Sequence, residues 1–440
     1  MRTRGPARAR SRGARTALRL AAAAAALPLL AATACAPGTG GGEEGGDGDV
    51  TLTVWSWRPE DAAGYERIFD VYEEQHPGVT VEFEGHQNTE YPAILQTGLT
   101  RSSGGPDVVQ LKPYGPIQAF IGAGQLVPLD DHVDLSDWAP EVVDSARGRE
   151  DGGLYGVPFA VQTLHVLYNP AIFAEHDLAP PETWEDMVAA AETLQEAGVI
   201  PFATSAQEPW VLAILREVFG ATRTGGEEFA QRVLTGETDF TDPDYVGALE
   251  VTAGLEPFFP EDSTAVSYTD AQTLFTSGEA AMYPGGAYEL APFQQANPEL
   301  EIAFFDAPPA PDAAVDHALT PGFSDGSYGV NAASANQEAA IELVQWMATE
   351  EFGQLFSDEL RQISTVPGVT PADPLLADMS AAYADHGTPY MMSVHFGYGD
   401  PLGRDAEGQA LADMILGNAT GEEAGERVQE EISAWFEPSR

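Results

Sequence analysis

Gly322-Phe323-Ser324-Asp325-Gly326 matches the Gly-x-Ser-x-Gly spacing of a nucleophile elbow, which aims a serine for acyl transfer. That chemistry needs a strand before the serine and a helix directly after it. Ser327-Tyr328-Gly329-Val330-Asn331 follows instead and predicts a strand. The eight histidines lack HExxH spacing, and no Walker-type phosphate loop occurs, so neither a zinc hydrolase site nor nucleotide hydrolysis is expected. No metal and no cofactor is expected. The chain holds 69 Asp and Glu, enough to generate acid pairs by chance, so a glycosidase dyad cannot be read from spacing. A secreted glycoside hydrolase or esterase stands as the alternative from another class. Binding chemistry has better local support. Trp55-Ser56-Trp57-Arg58 ends a strand, where alternation lets one tryptophan face a cleft; Trp55 reads as core and Trp57 as platform. His86, Gln87, Asn88 and Tyr91 form a polar loop after a second strand. Gly285-Gly286 lets backbone approach a ligand closely.

The elements that must position these groups alternate in type. Val50-Thr51-Leu52-Thr53-Val54-Trp55 predicts a strand. Tyr65, Ile68, Phe69 and Tyr72 recur at helical spacing, and His76-Pro77-Gly78 stops that helix. Val79, Val81 and Phe83 alternate as a strand, and Val108-Val109 follows Gly104-Gly105-Pro106 as another. Strand, helix, strand over sixty residues is the pattern of an α/β sheet with crossovers. Thr183 with Asp186 predicts a capped helix carrying Trp184, Met187, Val188, Ala191 and Leu194, closed by Gly198. Ser334 with Gln337 predicts another, with Ala340, Ile341, Val344 and Met347 on one side. A last helix is expected over Val428–Phe436, ended by Pro438. Each apolar stripe is expected to be core packing. About 400 residues from Val50 onward suggest two domains.

Seven arginines between Arg2 and Arg19, an apolar run from Leu20 to Ala34 and small residues before Cys35 describe an export signal over 1–34. The run is too short and too alanine-rich for a membrane span. Cys35 is the only cysteine, which excludes an intramolecular disulfide. Ala32-Thr33-Ala34-Cys35 resembles a bacterial lipobox with Ala32 where leucine is usual, so lipidation of Cys35 is expected; an ordinary secretory cut is the other reading. Residues 35–49 are Gly- and Glu-rich, a flexible tether with a reach of about 20 Å. Seven of the 20 basic residues lie in the signal and all 69 acidic ones follow Cys35. The exported part thus sets 13 bases against 69 acids, a net charge of about −56, with Lys112 its single lysine. That balance argues against nucleic acid or an anionic membrane surface as a partner. It reads as a solubilising surface and does not identify a ligand.

In order along the chain, several segments resemble one family. They are Leu52-Thr53-Val54-Trp55-Ser56-Trp57, Glu74-Gln75-His76-Pro77-Gly78-Val79-Thr80-Val81, Gly105-Pro106-Asp107-Val108-Val109-Gln110 and Gly124-Gln125-Leu126-Val127-Pro128-Leu129. Further on come Asp151-Gly152-Gly153-Leu154-Tyr155-Gly156-Val157-Pro158, Leu167-Tyr168-Asn169, Pro181-Glu182-Thr183-Trp184-Glu185-Asp186, Phe275-Thr276-Ser277-Gly278-Glu279-Ala280-Ala281-Met282 and Gly286-Ala287-Tyr288-Glu289-Leu290. Together they resemble the extracellular solute-binding proteins of ABC importers, in the carbohydrate-binding group that includes maltose-binding protein. The resemblance implies an α/β, two-lobed periplasmic-binding-protein type II-like fold with an interlobe ligand cleft and multiple hinge crossings. The crossings are expected near Phe159–Thr163, Phe304–Pro308 and Glu350–Thr365. The amino-terminal lobe would comprise 50–160 and 308–352, and the carboxyl-terminal lobe 161–307 and 353–440.

The implied role is a monomeric receptor on the outer face of the cytoplasmic membrane. It would be anchored by lipid, bind an uncharged, hydroxyl-rich carbohydrate and serve the permease subunits of an importer. A sugar site needs planar aromatics over the ring face and carboxylates, amides or arginine on the hydroxyls. Carried onto this sequence, the resemblance gives Glu208 as a hydroxyl acceptor and Trp210 as a stacking ring. Gln162 stands where the relative has a carboxylate, and Gln110, Lys112 and Tyr114 follow a strand with sugar contacts, Leu111 replacing a tryptophan. Tyr288 stands beyond Gly286, Asp325 lies on a cleft wall, and Tyr398 with Phe396 lies in a lobe-closing segment. Trp57, Arg58, Gln87 and Asn88 complete the expected site.

Overall fold

The computed structural model describes residues 49–101 and 105–439. The expected signal, the tether up to residue 48 and Cys35 lie outside the described residues. Ten strands form one connected sheet: β1 (Val50–Ser56), β2 (Val79–Gly85), β3 (Val108–Leu111), β4 (Val157–Tyr168), β5 (Ile200–Phe202), β6 (Ala280–Gly286), β7 (Ala303–Phe305), β8 (Thr320–Val330), β9 (Ile363–Ser364) and β10 (Gly387–Pro389). The main order is β2-β1-β3-β8-β4-β6-β5. At one end β1 runs parallel to β2 and β3; at the other β5 runs parallel to β6. Strands β4 and β8 run antiparallel to each other in the middle.

Three apolar cores divide this sheet. The first gathers Leu52, Val54, Ile68, Phe69 and Tyr72, the helical stripe expected from sequence, with Val108, Phe159 and Tyr328. Full burial of each such side chain contributes about 1.5–3 kcal/mol relative to exposure. The second and third lie on opposite faces of the other half. Alternation along β4 puts Leu164, Val166 and Tyr168 into the second and Leu167 into the third.

Strand β4 makes the first crossing without a break. Its residues 157–163 pair with β8, and 164–168 pair with β6. The register shifts twice around Ala160, an irregularity that bends a strand. The second crossing runs along β8, because Phe323 packs on the second core while Tyr328 and Val330 lie in the first. Phe305 and Ala307 still belong to the second core, so the chain changes halves later than Phe304–Pro308. The return is made over Leu360 to Leu376: Leu360 packs in the first core, Ile363 in the third, Val366 in the first again and Leu376 in the third. Phe356 and Leu360 pack in the first core beyond the expected border at residue 352, because their helix lies against Ala62–Gln75.

Local signals met mixed fates. Thr183 and Asp186 form the reciprocal capping box, and Gly198 takes φ +82°. Ser334 does not cap the helix Gln337–Trp346; its hydroxyl donates to Asp107 and accepts from the Asn336 amide, so the helix begins after Asn336. The last helix spans Gly421–Ser433, seven residues earlier than expected at its start, because Thr420 and Glu423 form a capping box.

The halves also touch away from the shared strands. Gln295 Nε2 donates to Glu60 O at 2.8 Å, the Tyr114 and Tyr398 rings meet edge-on at 6.1 Å, and the Arg149 guanidinium lies 4.1 Å from the Tyr398 ring centre.

Candidate functional site

Parallel pairing of β1 with β3 sets their carboxyl ends side by side, so the residues just beyond each strand meet. Lys112 Nζ lies 3.8 Å from the centre of the Trp57 ring. Burial pushes the Lys112 pKa down to about 7; Asp325 opposes this while Arg404 and Arg58 add to it. Arg58 Nε donates to Asp61 Oδ2 at 2.7 Å, and its Nη2 lies 3.6 Å from Glu60. A buried polar chain continues across the hinge. Gln362 Nε2 donates to Asp61 at 3.2 Å, and Gln162 Nε2 donates to Gln362 at 3.2 Å and to Asp325 Oδ2 at 3.1 Å. Gln162 Oε1 is buried with no partner in the protein. Gln162 and Asp325 sit on β4 and β8, the strands that join the halves.

The other half brings Tyr288. A Cβ on Gly286 would come within 2.2 Å of its ring, so glycine there makes room for the tyrosine over the backbone. Arg58 Nη2 reaches Tyr288 O at 3.5 Å, tying the two halves. Beneath, Glu289 is fully buried and accepts from Tyr268 and Tyr283 at 2.9 Å and from Gln272 at 2.7 Å. Burial raises its pKa to about 7. The folded state therefore holds this proton where the unfolded chain releases it, and stability falls as pH rises from about 4.5 to about 7. Glu289→Gln is expected to remove about 2 kcal/mol of that decline, read from urea midpoints across this range. An unchanged slope would show that another group carries it.

Glu208 precedes the helix Pro209–Thr224 and accepts from the Ser205 hydroxyl and, at 3.3 Å, from the Tyr268 amide. Trp210 is half-buried, edge-on to Tyr268 at 4.9 Å. Glu208, Trp210 and Tyr288 thus share the Tyr268–Glu289 neighbourhood.

Several expected roles are not met. Trp57 is no open platform: it is 3 % exposed, Lys112 covers one face, and Tyr91 and Phe159 pack at 5.9 and 5.7 Å. Gln110 is fully buried and spent inside the first half, accepting from Ser56 at 2.6 Å and donating to Tyr65 at 2.8 Å. Gln87 is exposed, and its carbonyl accepts the Glu90 and Tyr91 amides at a helix start. Asn88 is half-buried in the same turn and meets none of the central group. Tyr114 takes φ +63°, and its hydroxyl accepts from the Ser324 amide at 3.2 Å. Its ring meets Tyr398 of the other half, while its hydroxyl reaches the backbone beside Asp325. Residues 322–326 lie inside β8, so the Gly-x-Ser-x-Gly stretch is strand and not elbow. Ser324 is hydrogen-bonded to Ser145, and Gly326 is small because a Cβ would strike Trp57 at 2.5 Å.

Tyr390, Gln362 and Arg404 were not anticipated. The Tyr390 hydroxyl and Arg404 Nε are buried without hydrogen bonds, Arg404 Nε lying 3.7 Å from Asp405 Oδ1. Each lies far along the chain from Lys112 and arrives through the crossings, so no local spacing announces it. Cavities of about 330 Å³, between Arg149 and Trp435–Ser439, and about 200 Å³, between Glu60, Arg67 and Arg361, lie elsewhere. Among the described residues no His, Cys, Asp and Glu side chains group as metal ligands would.

The architecture is that of a two-lobed α/β receptor with paired strands running through both halves. Residues 55–354 match the family of bacterial extracellular solute-binding proteins, and the chain belongs to that family. An ABC transporter extracellular-binding protein of Pyrococcus horikoshii is 26 % identical over 300 residues, 67 % of each chain. The multiple sugar-binding protein of Streptococcus mutans is 23 % identical over 334 residues, 72 % of this chain and 77 % of its own. A chitin oligosaccharide-binding protein superposes with TM-score 0.72 at 21 % identity, over 88 % of this chain and 99 % of that one. A solute-binding protein of Thermotoga lettingae bound with α-D-tagatose gives 0.72 at 20 % identity, with the same coverage. The two-lobed fold and membership of the extracellular solute-binding family stand on these matches. The family is one of binding proteins rather than enzymes.

Proposed function

We propose that this chain captures a sugar or oligosaccharide between its lobes, releases it unchanged and delivers it to the permease subunits of an ABC importer. It acts as a monomer, held outside the cytoplasmic membrane by a lipid on Cys35 and lifted from it by residues 36–49. The observation that carries the reading is the buried hydrogen-bonded chain Arg58–Asp61–Gln362–Gln162–Asp325 on the strands that join the halves, which meets Tyr288 of the second half through Arg58. A ligand touching both halves stabilises the closed form because that form alone completes its contacts. Relatives named for sugars support the ligand class.

The test is scattering with and without sugar, followed by chromatography of the ligand. Compaction with the sugar recovered intact is expected, whereas cleaved sugar favours the hydrolase. Trp210→Ala is expected to weaken binding about tenfold, about 1.4 kcal/mol, by titration. Wild-type affinity in a folded Trp210→Ala protein would remove that ring from the site.

A further inference from the structure

We propose that Gln362 sets what this site asks of its sugar: with Asp325 it locks the Gln162 amide so that only the carbonyl is left for the ligand, and the guest must bring a free hydroxyl there as donor. This rests on the sugar-receptor reading and deepens it. The orientation of each amide follows from the group before it. Arg58 can only donate, and its Nε does so to Asp61 Oδ2 at 2.7 Å. Asp61 stands as an acceptor, so Gln362 turns its Nε2 toward it, at 3.2 Å. Gln362 Oε1 is then what faces Gln162, whose Nε2 donates to it at 3.2 Å and to Asp325 Oδ2 at 3.1 Å. Both amide hydrogens of Gln162 are spent on acceptors. Turning that amide over would set oxygen against oxygen at both contacts.

Gln162 Oε1 is the end of this chain with nothing to meet. Gln162 is fully buried, and among the described residues no donor reaches its carbonyl. A buried acceptor left bare costs free energy that a hydrogen bond would recover. A second unmet group lies close by. Gln162 stands opposite Phe323 across the paired strands, and such neighbours share one face of the sheet. The Phe323 ring meets that of Tyr390 at 5.6 Å, and the Tyr390 hydroxyl is buried without a hydrogen bond. Both groups sit at the joint, where a guest held between the halves arrives. A sugar hydroxyl answers both: its hydrogen goes to Gln162 Oε1, and its oxygen can accept from Tyr390. An ether, a glycosidic oxygen or a carboxylate has no hydrogen to give and leaves the carbonyl bare. Sugars thus divide by whether this one position is free or substituted.

The experiment is calorimetric titration of the full exported chain with mono- to tetrasaccharides of D-glucose, D-galactose, D-xylose and N-acetyl-D-glucosamine. The tightest binder is then tried as its set of single deoxy and deoxyfluoro analogues. At one position both analogues are expected to bind at least about tenfold more weakly than the parent, since neither hydrogen nor fluorine there can donate. Gln162→Met should bind the parent and both analogues alike. Gln362→Met leaves Gln162 held by Asp325 alone. It should lose at least about threefold of the discrimination while the deoxy analogue binds as before, a pattern that loosened folding would not give. Melting checks that both variants fold, and the analogue series in the unmodified protein needs neither. A deoxy loss that the fluoro analogue recovers means the site donates there, and it overturns the proposal. So does a loss that survives Gln162→Met, or the lack of any such position, which would leave the carbonyl to a buried water. Sugar capture stands in each of these cases. Binding by none of the sugars defeats the receptor reading itself.

Discussion

Gly115→Val is expected to weaken ligand binding about a hundredfold, about 2.7 kcal/mol, while the free protein keeps its stability. Gly115 opens a helix of the first half and faces Gly397 and Tyr398 of the second. A Cβ there would stand 1.9 Å from the Gly397 carbonyl oxygen and 2.8 Å from the Tyr398 Cα. Those atoms are backbone and cannot rotate aside as a side chain would. The halves must part, and the closed state loses its fit to the ligand before any ligand contact is touched. A surface change away from any core should move stability by no more than about 0.5 kcal/mol. Gly122→Ala is the control, since nothing lies within 4 Å of its Cβ. Calorimetry and scattering on both variants decide the matter. Wild-type affinity in Gly115→Val would mean that binding does not require this approach of the halves.

Arg216→Met should remove about 3–5 kcal/mol of stability, the usual loss when a buried ion pair keeps only one sign of charge. Arg216 is fully buried in the helix Pro209–Thr224, 2.6 Å from both Glu217 and Glu407. Tyr245 donates to Glu407 at 2.9 Å, and the Met391 amide to Glu217 at 3.0 Å. Two carboxylates already share one guanidinium, and burial raises the Glu407 pKa to about 7. Without Arg216 both must be protonated or solvated. The loss should therefore shrink at about pH 5, where protons are plentiful, and a second change, Glu407→Leu, should restore part of it. Urea unfolding at acid and neutral pH reads all three outcomes. A loss below about 1 kcal/mol would show that the trio contributes little. The same helix begins at Glu208 and Trp210, so a loosened Arg216 should also blunt the site.

What the sequence conveyed was local. A β-branched run gave β1, helical spacing placed Tyr65 to Tyr72 in a core, and a Thr-x-x-Asp box started a helix where expected. Ser334 carried the same kind of signal and failed, because Asp107, 227 residues away, takes its hydroxyl. The site followed this division. Gln162 and Asp325 are brought together by the pairing of β4 with β8; the family resemblance put one at the first crossing and the other on a cleft wall, without that pairing. Trp57 looked like a platform because alternation at the strand's end lets one of the two tryptophans face a cleft; nothing nearby in sequence says that Lys112 will lie on it. Gln110 had the chemistry of a ligand contact, but Ser56 and Tyr65 absorb it. Arg404 and Tyr390 carry no motif at all and acquire meaning through distant strands.

Because β4 and β8 run unbroken through both cores, the joint resembles a leaf spring more than a pin. Opening must flex a paired ribbon whose weakest point is the register slip at Ala160. Gln162 and Asp325 ride on that ribbon, so they travel least, while Lys112 and Tyr288, out on the arms, travel most. A guest would thus stay moored at one edge through the whole stroke, and its grip there can be retuned without altering how far the arms swing.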